Sequence, residues 1–244
     1  MRPRPFHAML LAMAGEMSEE KEPDTQVRLP ARRPALARAW HAPFGKDRAE
    51  AIACACEAVR ARAPGVTGTV WLHRNVPAEH LGNCRDVWVY LPPGYDATGQ
   101  ARYPVLYMHD GDNLFSAATA FLGREWGIDE TAEWLIGAGL LAPLIVVGVG
   151  STSHRLAEYT WVPDAGGAGG DGRAYGIFLV EELMPMIGAI YRTEGNRART
   201  GTMGASLGGL FSLYAGARLG DAFGLVCALS PSLWWGGGRA FEDL

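Results

Sequence analysis

The sequence predicts an α/β domain with a mostly parallel sheet, and three observations predict it. An antiparallel strand pair opens the domain near residue 67. Apolar runs and helical segments then alternate. Late in the chain, one serine sits between small residues where a strand gives way to a helix. Alternation of this kind gives a sheet with helices on both faces.

The elements follow in order. Residues 68–73 alternate apolar and polar like a half-buried strand, and residues 85–91 do the same before the turn Pro92-Pro93-Gly94-Tyr95. Residues 103–108 and 143–149 are continuous apolar runs, as strands buried on both faces require. Helices are expected over about 129–136 and 175–191. Residues 199–203 form a strand, 207–218 a helix and 223–229 a last strand. The glycine-rich stretch 166–172 lacks the strand-to-helix setting of a phosphate loop.

Residues 1–66 differ from the rest. They are rich in Arg, Ala and Pro and are expected to form a partly helical or mobile extension, with one helix over about 47–62. The domain proper is 67–244. A net charge of −4 gives no pull toward nucleic acid or anionic membrane, and no apolar run is long enough to span a bilayer. Cys54, Cys56, Cys84 and Cys227 lack the paired spacing of a zinc site and read as small buried or half-buried thiols. This fits a cytoplasmic protein. The alternative is export, since Arg2 and Arg4 precede the apolar run 8–14, which ends in Ala12-Met13-Ala14.

The chemistry centres on Gly204-Ala205-Ser206-Leu207-Gly208-Gly209. This is the G-x-S-x-G pattern of a nucleophile elbow, in which a sharp turn lifts a serine to the top of a sheet. Ser206 is therefore the candidate nucleophile. It needs a base for its proton and an oxyanion hole for the charge that develops on the substrate. One oxyanion donor is expected to be the backbone N–H of Leu207. The other should come from the loop His109–Phe115, which reads HDGDNLF. Its carboxylates either point away or hold a substrate hydroxyl, and a metal set of His109, Asp110 and Asp112 is disfavoured. No metal or other cofactor is expected. All six histidines precede Ser206, whereas the order in α/β-hydrolases is Ser, acid, His. His109 reads as a stabiliser of its loop or as an improvised base. Trp234 and Trp235 either wall a pocket or cover core. Arg155, Glu158 and Tyr159 fall on the same rim, as substrate contacts or as a surface ion pair.

Seven stretches in order, spanning about 67–236, resemble the esterase-D-like branch of the α/β-hydrolases, near the enterochelin esterases. They include RDVWVYLPPGY (85–95), YPVLYMHDGDNLF (103–115), TGTMGASLGGLFSLY (200–214) and ALSPSLWW (228–235). The branch also holds S-formylglutathione hydrolases, feruloyl and acetyl-xylan esterases and mycolyltransferases. The resemblance implies a carboxylic-ester hydrolase that acts on a small-molecule ester through an acyl-Ser206 intermediate. It implies Leu207 and Asp112 as backbone oxyanion donors and Asp110 as a substrate contact. The family pattern continues past Ser-Pro-Ser with two further strands, bearing the triad acid and then the histidine. The sequence reaches Leu244 ahead of both. The expectation is a fold lacking its last strands, little turnover from residues 1–244 alone, and an exposed apolar edge at strand 223–229. Two other readings stay open: a non-catalytic, hydrolase-like binding protein, and an acyltransferase when intact. The particular ester and the oligomeric state do not follow from the sequence.

Overall fold

The computed structural model describes residues 58–61, 65–95 and 99–244. Strands β1 (Ala58–Arg60), β2 (Thr69–Ala78), β3 (Asn83–Leu91), β4 (Val105–His109), β5 (Ile145–Val149), β6 (Thr200–Ala205) and β7 (Leu225–Leu229) form one sheet. Its order is β1-β2-β3-β5-β4-β6-β7. β1, β2 and β3 pair antiparallel, β3 meets β5 antiparallel, and β5, β4, β6 and β7 run parallel. The fold class is as the sequence predicts. One element is not: Ala58–Arg60 is a strand on β2, where the sequence reads the end of a helix. Pairing with an available sheet edge overrides the helical preference of this Ala-rich stretch. The rest of that helix, the N-terminal run, Cys54 and Cys56 lie outside the described residues.

Alternation along the strands divides the core in two. Val105, Tyr107, Val87, Val89 and Val147 face one layer, packed on Phe178, Leu179, Phe211 and Tyr214. Leu106, Met108, Trp88, Tyr90 and Val146 face the other, packed on Ile128, Ala132 and Leu135. The helices are α1 (Ile128–Gly137), α2 (Arg155–Glu158), α3 (Gly172–Ile177), α4 (Met184–Ile190), α5 (Leu207–Arg218) and α6 (Arg239–Glu242). Between α3 and α4 the chain widens into a π turn, Phe178–Leu183. Pro185, one residue into α4, has no N–H to give to the regular ladder. No helix among the described residues is long and apolar enough to cross a membrane.

β7 pairs with β6 alone among the described strands, and its side chains are half-buried or exposed, Val226 at 39%. Cys227 on this strand is half-buried, but Cys84 is exposed, against the expectation of a buried thiol. Cys84 stands near the β2–β3 turn, where alternation turns it outward.

Candidate active site

β6 ends at Ala205 and α5 begins at Leu207, so Ser206 alone makes the turn. Its backbone has φ 56° and ψ −119°, a conformation that costs a non-glycine residue of order 1–3 kcal/mol. The surroundings enforce it. The Ser206 N–H donates to Leu229 O at 3.0 Å, and Ser206 O accepts from the N–H of Ser232 at 3.0 Å and of Leu210 at 2.9 Å. The flanking glycines are sterically required. A Cβ on Gly204 would fall 2.5 Å from the carbonyl carbon of Gly208, and one on Gly208 would fall 3.1 Å from His109 Cβ. The side chain is left exposed at the tip.

Leu207 lies at the first position of a 12-residue helix whose backbone bonds begin at Leu210. Its N–H is thus one of the donors that a helix N-terminus leaves for an outside acceptor. The loop after β4 comes close to this end, since a Cβ on Gly208 would also lie 3.4 Å from Asp110 Oδ2. Asp110 is left-handed, φ 58°, and starts a tight turn over Gly111–Asn113 whose own bonds begin with Asn113 N–H on Asp110 O at 2.9 Å. The Asp112 N–H precedes that first bond. Its carboxylate points away to the β5 loop, accepting from Ser151 N and Oγ at 2.8 Å each.

Asp110 is buried, and both of its oxygens are held by Arg155, Nε to Oδ1 at 2.5 Å and Nη2 to Oδ2 at 2.8 Å. That bond, ahead of every other influence, raises the Arg155 guanidinium above its ordinary value. Tyr159 Oη accepts from the Asp110 N–H at 3.0 Å and fixes the loop from below. Glu158 is not part of a surface pair. It is 1% exposed, and Arg85, 3% exposed, bonds it through Nη1 and Nη2 at 3.0 and 2.9 Å. Asp110, Asp112, Asn113, Phe121 and Arg155 line a cleft of about 580 Å³ beside this loop.

His109 is no base for Ser206. It is wholly buried, with Nδ1 on Tyr175 Oη at 3.0 Å and Nε2 on Thr202 Oγ1 at 3.1 Å. Burial, then the charge of Arg155, push it down to about 3. With His109 turned inward, Asp110 on Arg155 and Asp112 on Ser151, the three do not converge as metal ligands. Among the described residues the partner of Ser206 Oγ is Ser232 Oγ at 3.1 Å, a residue not singled out from the sequence. The signal was present in Ser230-Pro231-Ser232 immediately beyond β7. The tryptophan pair divides its roles. Trp235 is buried and donates Nε1–H to Val162 O at 2.8 Å, whereas Trp234 is 70% exposed and free to meet a ligand.

The sequence profile of the family described as "Putative esterase" matches residues 78–243. The chain belongs to that family. Its similarity to curated relatives covers the same core. The Bacillus subtilis protein YbbA, described as uncharacterized, is 29% identical over 164 residues, 65% of this chain and 61% of YbbA. The iron(III) enterobactin esterase of Escherichia coli O6:H1 is 29% identical over 160 residues, 65% of this chain but 35% of that protein. This family member thus spans less than two thirds of either relative. The siderophore hydrolase EstA of Aspergillus nidulans shares the fold, with a TM-score of 0.56 at 20% identity, over 77% of this chain and 65% of EstA.

Proposed function

We propose that the chain carries the nucleophile and oxyanion hole of a serine carboxylic-ester hydrolase for small-molecule esters. Ser206 Oγ bonds to the ester carbonyl carbon, the N–H groups of Leu207 and Asp112 receive the oxyanion, the acyl C–O bond breaks, and the alcohol leaves carrying the serine's proton; water then takes the acyl group from Ser206 as the carboxylic acid. The observation that carries this is the backbone of Ser206, strained at φ 56° on an exposed turn at a helix N-terminus. Such strain is retained where the surroundings over-determine it, and it clusters at active sites. Asp110, fixed by Arg155, and the exposed Trp234 are the proposed substrate contacts. The names of the relatives make siderophore esters the first substrates to try.

Turnover also needs a base at Ser206 Oγ, and no histidine among the described residues bonds it. Loss of one triad member costs about 10⁴-fold or more in kcat, while the oxyanion hole keeps a residual rate. Without such a base, Ser206 is expected to acylate slowly and release more slowly still. The test is labelling with a fluorophosphonate probe followed by peptide mapping. Labelling at Ser206 that is lost in Ser206→Ala supports the reading. Folded protein that takes no label, yet binds a siderophore ester, would replace it with a binding protein on a hydrolase frame.

A further inference from the structure

We propose that Glu125, Asp129 and Glu130 form a binding site for a divalent cation of the calcium class, outside the Ser206 site. Each offers one carboxylate oxygen, and these oxygens lie within 4.8 Å of one another. Two oxygens on opposite sides of a calcium ion, each about 2.4 Å away, span about that distance. The donors are all hard oxygens, without nitrogen or sulfur.

A group of acids on a helix end is ordinary, and here a second observation separates it from the ordinary. Asp129 is 0% exposed. Its Oδ2 accepts the Thr67 N–H at 2.6 Å, but its Oδ1 is buried with no donor from outside the three acids. Glu125 Oε2 and Glu130 Oε2 are likewise buried and unpartnered. Among the described residues, no arginine or histidine forms an ion pair with any of the three. A fourth acid, Glu133, lies one turn further along α1 and takes the Tyr90 hydroxyl at 3.2 Å. Buried acceptors without donors are costly, and carboxylates that face one another add repulsion. A bound cation removes both penalties at once.

The ligands also sit where a cation would matter. Glu125 belongs to the segment between β4 and α1, and Asp129 and Glu130 to the first turn of α1. The same segment is tied to the cleft loop by Trp126 N–H on Asn113 O at 2.9 Å and Ile128 N–H on Leu114 O at 3.2 Å. Thr67, bonded to Asp129, precedes β2. An ion here would clamp the β2 lead-in, α1 and the cleft-lining loop together.

The test uses the full chain, stripped with a chelator at pH 8, and calcium alone as the probe. The expected result is a melting temperature raised by about 3 °C or more in millimolar calcium. Terbium bound in place of calcium should luminesce on tryptophan excitation through the neighbouring Trp126. Asp129→Asn and Glu130→Gln should each abolish both signals. If Asp129→Asn does not fold, Glu125→Gln replaces it, since Glu125 is partly exposed. Absence of both signals in the wild-type protein overturns the proposal, as do signals unchanged in the variants. A melting temperature that ignores calcium but rises between pH 8 and 6 would also overturn it, in favour of a proton shared by the carboxylates.

Discussion

Glu158 and Asp129 are both acids buried to 1% or less, and the fold treats them in opposite ways. Glu158 accepts four bonds: two from Arg85, one from Asn83 Nδ2 at 2.8 Å and one from Thr152 Oγ1 at 3.2 Å. The Arg85 guanidinium is in turn covered by the Phe178 and Tyr175 rings, 4.8 and 5.3 Å from its carbon. Asp129 takes the Thr67 N–H on Oδ2, has no arginine or histidine partner among the described residues, and faces two further carboxylates. Burial and, at shorter range, Glu130 push it up to about 7. Burial alone therefore says little about the charge of an acid; the count of donors around it decides. The satisfied acid lies under the candidate active site, where it holds β3 to α2. The unsatisfied one lies where an external ion could complete it.

The sharpest way to break this contrast is to strip Glu158 of its cation. Arg85→Met should cost about 3–5 kcal/mol in urea unfolding, because a buried carboxylate loses its partner. His109 extends the satisfied side to a base. It is neutral in the fold down to about 3, whereas the unfolded chain takes the proton near 6.5. The unfolded state thus binds more protons between those values. Stability is complete above about 6.5 and falls with decreasing pH, by at most about 1.4 kcal/mol per unit. Urea midpoints measured at pH 7 and pH 5 should show the fall, and His109→Gln should lack that component. The smallest effect belongs to the unsatisfied side. In chelator at pH 8, Asp129→Asn should leave the fold intact and raise its stability by about 1 kcal/mol, since it removes a buried charge that faces two further carboxylates. A large loss there would place Asp129 with Glu158.

Most of the frame was legible because local pattern and global fold agree. The apolar runs became β4 and β5, and the small residues around Ser206 became the turn that only they can make. What escaped depends on partners far along the chain. Arg85 and Glu158 are 73 residues apart, and Asp110 finds Arg155 across 45. Ser232 reaches Ser206 only because the chain folds back after β7. Glu125, Asp129 and Glu130 look in sequence like the acids that favour any helix start; their missing donors appear only in three dimensions. The short β1 escaped because a three-residue strand carries almost no periodic signal.

The candidate nucleophile is bonded through its backbone to the last residue of β7 and to the segment just beyond it. Its amide proton is therefore a built-in gauge. Exchange with deuterium at Ser206 requires Leu229 to let go, so its protection measures how firmly β7 is docked on β6. A ligand or partner that settles β7 would slow that one proton without touching the serine side chain. Anything that frays the strand would release the serine from its strained geometry before the sheet itself came apart.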